Sequence, residues 1–262
     1  TVWDVLPITV LILIFQYFII RRPLPNPRKI LVGFLCVLAG LALTTLAAAQ
    51  NVHATTRQSC LVCHAGAAGG DGTKRGDLSK ERLLEAYQRG IFPWYGQGQP
   101  ILWWAPDPRL VLLPAELHVS RSLRKTLKKQ PFEIRFDSAF PEVMRACAEL
   151  RGDGLGTWIG DDMLRAYCEL HALGFAHSIE VLDDRGTLAG GLYGVALGRT
   201  FFGESMFSNV TDASKVALVG LVHLLRRAGF DMIDCQVQSE HLDSLGARDI
   251  PRLDFEQRLA QT

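Results

Sequence analysis

Two predominantly apolar stretches open the chain. Val5–Ile20 and Ile30–Ala49 carry no polar face. Each approaches the ~20 residues a helix needs to cross a bilayer, the first only with help from Thr1–Asp4. Between them, Arg21-Arg22-Pro23-Leu24-Pro25-Asn26-Pro27-Arg28-Lys29 cannot continue a helix, because its prolines lack the backbone donor. Its positive charges place the loop on the cytoplasmic side, with both flanks facing outward. The pair reads as a two-helix apolar hairpin that anchors residues 5–49 in the inner membrane. Two alternatives stay open. One is a packed soluble hairpin. The other is a signal peptide with Arg28-Lys29 as its charged start, Ile30–Leu46 as its apolar core and Ala47-Ala48-Ala49 as its cleavage site.

From Asp77 onward the pattern changes to short punctuated elements. Ser79 can cap a helix running through Leu83, Leu84 and Tyr87 to Gly90. Phe92–Tyr95 and Ile101–Pro108 read as aromatic, Pro-rich loops. The spacing predicts helices over Val119–Lys129, Ala139–Leu150 and Asp161–Leu173, the last stopped by Gly174. A meander follows. Ser178–Val181 is a strand, Asp183–Gly186 a turn, Leu188–Leu197 a Gly-rich strand, and Thr200–Phe202 a strand running into a turn at Gly203-Glu204-Ser205. Asp212 can cap the helix Ser214–Arg227, closed by Gly229, and a final strand covers Met232–Val237. This order is α+β.

Length and charge add little. The 262 residues suffice for one large domain or two small ones, and the net charge of +1 hides an apolar front and an ordinary mixed-charge remainder. Six cysteines do not form a disulfide framework, and Cys36, Cys147, Cys168 and Cys235 read as small buried hydrophobes. Cys60-Leu61-Val62-Cys63-His64 has the Cys-x-x-Cys-His pattern of c-type haem attachment, with Cys60 and Cys63 as thioether sites and His64 as the iron ligand. His53 is a candidate second ligand. The competing reading is an unmodified Gly-rich linker over residues 51–75.

Two patterns further on carry chemistry. Asp234 and Gln236 are two apart on a predicted strand, which places a carboxylate and an amide on one face and turns Ile233, Cys235 and Val237 to the core. Arg121, Arg124, Lys125 and Lys128 follow helical spacing, with Lys129 beside them, giving one positive face suited to phosphates or simply to water.

The ordered segments identify a family. They include Gly76-Asp77-Leu78-Ser79, Ala86-Tyr87-Gln88-Arg89-Gly90-Ile91-Phe92-Pro93-Trp94, Ile101-Leu102-Trp103-Trp104, Pro106-Asp107-Pro108-Arg109, Leu117-His118-Val119-Ser120-Arg121-Ser122, Gly156-Thr157-Trp158-Ile159, Gly190-Gly191-Leu192-Tyr193-Gly194, Phe202-Gly203-Glu204-Ser205-Met206-Phe207-Ser208, Asp234-Cys235-Gln236-Val237 and Ser244-Leu245-Gly246-Ala247-Arg248. Over residues 76–262 the chain resembles leucyl/phenylalanyl-tRNA–protein transferases. The resemblance implies an acetyltransferase-like (GNAT) core over 151–262 behind a small N-terminal subdomain over 76–150. It implies a monomeric cytoplasmic enzyme that needs no cofactor and moves Leu or Phe from charged tRNA to proteins beginning with Arg or Lys, tagging them for degradation. The family's usual Gly-Leu-Leu-Ala-type run is missing, and residues 1–75 stand in its place. That extension is expected to be a foreign fusion.

The reaction is aminolysis of an ester, which asks for positioning, amine deprotonation and oxyanion stabilisation. By resemblance, Gln236 contacts the amine and Asp234 draws off its proton, while Cys235 is no nucleophile. Glu204 either orients the amine or meets the acceptor's Arg or Lys side chain. Trp94 and Trp158 stack on the terminal adenosine or wall the pocket. Leu192, Phe201 and Leu218 surround the donor side chain, and the basic helix (Arg121, Arg124, Lys125, Lys128) meets tRNA phosphates. Two rival readings remain. An acetyl-CoA-dependent acetyltransferase lacks support because the helix at Ser214 opens with Thr211-Asp212-Ala213 and no Gly-rich pyrophosphate loop. A membrane-anchored haem protein rests on Cys60, Cys63 and His64 alone.

Overall fold

The computed structural model describes residues 61–62, 77–96, 98–129, 131–149 and 157–261. The hairpin of residues 5–49, the signal-peptide segment, His53 and the haem ligands Cys60, Cys63 and His64 lie outside the described residues. Among the described residues, no helix is long and apolar enough to cross a membrane.

The centre is a seven-stranded mixed sheet in the order β10-β4-β9-β8-β7-β6-β5. Its strands are β4 (Arg109–Leu112), β5 (Glu133–Phe136), β6 (Ala176–Leu182), β7 (Leu188–Leu197), β8 (Thr200–Ser208), β9 (Met232–Gln236) and β10 (Arg248–Ile250). Every pairing is antiparallel except β8 with β9. The sheet draws on residues from both sides of position 150. A small second sheet in the order β1-β3-β2 joins β1 (Leu61–Val62), β2 (Phe92–Pro93) and β3 (Trp103–Ala105). The aromatic segments expected as loops therefore contain strands. Each is only two or three residues long and sits among prolines, too short for alternation to be read.

Period-2 alternation divides the sheet into two covered faces. Tyr193, Val195 and Phe202 pack with Leu83 and Tyr87 of α1 (Lys80–Gln88), Val143 and Met144 of α3 (Phe140–Glu149), and Met163, Tyr167 and Leu170 of α4 (Asp161–Ala172). Ile179, Val181, Leu192, Phe201 and Ile233 pack instead under Val216, Ala217, Leu218, Leu221 and Val222 of α5 (Ala213–Ala228). The basic helix α2 (Arg121–Lys129) is tied to the start of α5 by Thr126 Oγ1, which donates to Asp212 Oδ2 at 3.0 Å. That bond explains a corrected cap. Asp212 does precede α5, but its side chain turns to Thr126 and to Lys215 (3.5 Å) and makes no cap hydrogen bond. Ser79 likewise stands at the start of α1 while its hydroxyl goes to Asp77. A buried charge supports α3. Glu180, fully enclosed on β6, accepts from the backbone N–H groups of Ser138 and Ala139 at the helix start and from the Ser138 hydroxyl.

Two short helices complete the fold, α6 (Glu240–Asp243) and α7 (Arg252–Leu259). The strand predicted to be the last is followed by both of them and by β10.

Candidate functional site

The parallel strands β8 and β9 are paired only at Thr200–Met232, Phe201–Ile233 and Phe202–Asp234. Beyond that point β8 runs on with β7 to Ser208, while β9 stops at Gln236. The opening between them is a cavity of ≈360 Å³, within the usual size of a small-molecule site. Gly203, Glu204, Ser205 and Met206 form one side and Cys235, Gln236 and Val237 another. Leu192, Phe201, Leu218, Leu221 and Ile233 give it an apolar floor, and Trp94 and Trp158 stand in its wall. The structure thus brings Trp94, Trp158, Leu192, Phe201, Glu204, Leu218 and Gln236 together around one space. The two tryptophans are held by a link between their segments, since Tyr95 Oη donates to Asp162 Oδ2 at 2.6 Å. Trp104 Nε1 also donates to the Trp94 carbonyl.

Glu204, expected in a turn, lies in the middle of β8. Gly203 suggests a break, but the strand continues, with a register irregularity opposite at Tyr193/Gly194. The carboxylate is 7% exposed. It accepts from Tyr87 Oη at 2.7 Å, Tyr167 Oη at 3.1 Å and Gln236 Nε2 at 2.9 Å. The two tyrosine hydroxyls also meet each other. Burial drives the Glu204 carboxyl up to about 7, against the pull of its hydrogen-bond donors and with help from the Asp234 charge. Burial first, then the Glu204 charge, lifts both tyrosines well above the ordinary phenol value. Sequence reasoning misses Tyr87 and Tyr167 as site residues. Both sit on the apolar face of a helix, where a tyrosine looks like core.

Asp234 and Gln236 depart from the expected geometry. Asp234 is fully buried and does not line the cavity. Its Oδ1 accepts from Arg109 Nε at 2.8 Å and Oδ2 from Arg109 Nη2 at 2.6 Å. The guanidinium lies over the rings of Phe92 and Phe255, at 4.9 and 4.6 Å from their centroids. The physical reason is a β-bulge. On β4, Val111 faces Asp234 but the adjacent Leu110 faces Gln236, so Cys235 is an extra residue and the alternation breaks there. Gln236 takes φ 67°, a left-handed backbone rare for a residue with a side chain. Its N–H donates to Asp234 Oδ1 at 2.9 Å. Cys235, expected in the core, lines the cavity instead. Burial, then the Asp234 charge, pushes its thiol far up, which leaves it a poor nucleophile.

The basic residues Arg121, Arg124, Lys125, Lys128 and Lys129 are all exposed on α2 around the buried Leu123. They do not line the cavity. Among the described residues, no group of three or more His, Cys, Asp or Glu could hold a metal.

An apolar floor with a buried acid and an amide at its edge suits acyl transfer from a hydrophobic donor. The sequence comparison decides the family. Residues 111–260 match the model of "Leucyl/phenylalanyl-tRNA protein transferase", and residues 76–107 match that of its N-terminal domain. The chain belongs to the leucyl/phenylalanyl-tRNA–protein transferase family. It is an aminoacyltransferase. A relative in Nitrosospira multiformis bearing that name is 63% identical over 186 residues, covering 71% of this chain and 80% of the relative. One in Nitrosomonas europaea is 61% identical over 186 residues, covering 71% and 78%. Among solved structures, FemX aligns over 68% of this chain and 70% of its own at 12% identity and a TM-score of 0.42.

Proposed function

We propose that this enzyme moves Leu or Phe from charged tRNA to the α-amine of proteins beginning with Arg or Lys, at the cavity between β8 and β9. The observation that carries the reading is the pairing of an apolar floor (Leu192, Phe201, Leu218) with the Gln236–Glu204 hydrogen bond at its edge. The core is read as acetyltransferase-like, which its parted parallel strands and its helices on both faces support.

The donor's side chain fills the apolar floor, with Trp94 and Trp158 walling the adenosine end. Gln236 donates from Nε2 to Glu204, so its Oε1 is left to accept from the incoming amine. The amine nitrogen bonds to the ester carbonyl carbon, the bond to the ribose oxygen breaks, and the proton the amine loses ends on that ribose oxygen, which leaves as a hydroxyl. An amide cannot take that proton. Glu204 can, since it lines the cavity and its carboxyl is poised near neutrality. Asp234, held in the fork of Arg109, is a positioning residue in this account: it fixes the bulge and the left-handed Gln236 backbone. The exposed basic face of α2 contacts tRNA phosphates.

The test is an acceptor panel. Purified enzyme, Leu-tRNA labelled on its amino acid, and peptides differing only in their first residue are incubated together. Labelled product with Arg and Lys starts, and none with Ala or Glu starts, is the expected result. Equal transfer to all peptides would overturn the acceptor assignment.

A further inference from the structure

Two polar atoms near the cavity have no use in the scheme above. Ser205 Oγ and His241 Nε2 are both closed off from solvent and meet no hydrogen-bond partner among the described residues. Both residues line the cavity. Buried polar groups are normally satisfied, so two orphans around one space ask for a ligand that supplies the missing bonds.

His241 is firmly mounted. It lies in α6, directly after β9, and the turn behind it is closed by Leu245 N–H and Ala247 N–H donating to the Leu242 carbonyl. That turn is pinned in its place by His118 N–H, which donates to the Leu245 carbonyl at 2.9 Å. Gly246 sits at φ 98°, and a Cβ there would come within 2.5 Å of the Glu116 carbonyl oxygen, so only glycine permits the approach. The same 116–118 segment leads into the basic helix α2. The mount of His241 is therefore continuous with the basic face assigned above to tRNA phosphates.

We infer that His241 and Ser205 hold the 2′-hydroxyl of the donor's terminal ribose, an assignment that rests on the donor-site reading above. A hydroxyl both donates and accepts, which matches one hydroxyl and one imidazole nitrogen. Burial, then the charge of Lys215, lowers the basicity of His241, which keeps the ring neutral. That positive neighbour disfavours an ammonium or guanidinium here and so argues against the acceptor's N-terminal residue as the occupant. The acceptor's amine belongs instead beside Glu204 and Gln236. Held by its 2′-oxygen, the ribose would present the neighbouring ester in a fixed orientation without any covalent contribution from His241.

The test uses phenylalanyl-adenosine with an amide in place of the ester, which resists aminolysis, made with either a 2′-hydroxyl or a 2′-hydrogen. Inhibition constants of the two analogues are measured in competition with Leu-tRNA. Wild type should prefer the hydroxyl form by roughly tenfold, the scale of one hydrogen bond. His241→Leu should bind the two forms equally, Ser205→Ala should narrow the preference, and His241→Gln, with an amide nitrogen near the Nε2 position, should keep most of it. A preference unchanged in both His241→Leu and Ser205→Ala overturns the assignment while leaving the donor site intact. Failure of both analogues to bind wild type would overturn the donor-site reading and this inference with it.

Discussion

Arg109 and Asp234, 125 residues apart, form a fully buried two-point ion pair, with Nε–Oδ1 at 2.8 Å and Nη2–Oδ2 at 2.6 Å. Their side chains are 1% and 0% exposed. Removing one partner leaves the other charged in the interior, so Asp234→Ala should cost roughly 3–5 kcal/mol of stability. Arg109→Lys should not rescue, because a single ammonium cannot reproduce the fork. The double variant Arg109→Met/Asp234→Leu should recover most of the stability and still transfer poorly, since nothing then holds the Gln236 N–H. Urea unfolding beside a transfer assay checks all three. An Asp234→Ala protein as stable as wild type would show that the pair does not anchor the site.

Glu204 makes stability depend on pH in a direction opposite to most carboxylates. Its carboxyl rises from 4.5 to about 7 on folding. The folded state therefore binds the proton more tightly, and this contribution is fully present below pH 4.5 and is lost as pH climbs through 7. The loss totals about 3 kcal/mol. Unfolding free energies across pH 4.5–8 should show this decline in wild type and a flatter profile in Glu204→Gln. In transfer, wild type should show a rising limb near 7 beside that of the acceptor's own amine near ~8. Glu204→Gln should abolish the first limb. Tyr87→Phe, which removes a donor that favours the ionised carboxylate, should move that limb upward.

The left-handed backbone of Gln236 predicts an inverted ranking of small substitutions. Neither Ala nor Gly retains the amide, but only Gly accepts φ 67° without strain. Gln236→Gly should be more stable than Gln236→Ala by about 1 kcal/mol. Equal unfolding midpoints would mean that the conformation relaxes in the folded protein.

Phe201 sets the shape of the cavity floor through its close approach to Gly194. A Cβ on Gly194 would fall within 2.6 Å of the Phe201 ring and 2.2 Å of the Phe202 carbonyl oxygen. Gly194→Ala must therefore move the ring or the strand, and it should lower transfer of Phe more than transfer of Leu. Leu218→Ala, which enlarges the floor, should favour Phe over Leu by up to about tenfold. Competition between Phe-tRNA and Leu-tRNA gives the ratio directly.

Charge on α2 should act on tRNA and not on chemistry. Neutralising Arg121, Arg124, Lys125 and Lys128 to Gln should raise KM for charged tRNA and flatten its salt dependence. The log–log slope should fall by roughly 0.7–0.9 for each phosphate that is no longer neutralised. Transfer from aminoacyl-adenosine, which has no phosphates, should be unchanged. An unaltered salt slope would return these residues to the status of a solvated face.

Much of the fold can be read from the chain because its signals are local. The Gly-rich apolar run at 188–197 marks β7 to the residue, and Gly174 and Gly229 close α4 and α5 where glycine is expected. Of the apolar members of the site, Leu192 lies in a quoted family segment, Phe201 directly precedes one, and Leu218 lies on the apolar helix expected at 214–227. The misses are non-local. Arg109-Leu110-Val111-Leu112 is a short strand between prolines, and only its pairing with β9 reveals it. An arginine opening an apolar run is a usable hint that a buried carboxylate waits elsewhere. The bulge at Cys235 depends on β4 and so cannot be inferred from β9 alone; it turns Asp234 inward and Cys235 to the cavity. His241 and Ser205 carry no local signature, and their interest comes from atoms left without partners.

The proposed role of the Gln236 side chain, receiving the acceptor amine at the edge of this cavity, can be tested directly. The most direct measurement is transfer of labelled Leu from Leu-tRNA to a peptide beginning with Arg, comparing wild type with Gln236→Gly after both are shown to be folded by urea unfolding. Label on the peptide with wild type and a drop of at least about 100-fold with the variant are the expected results. Transfer by Gln236→Gly at the wild-type rate would contradict that role and move the chemistry to another part of the cavity.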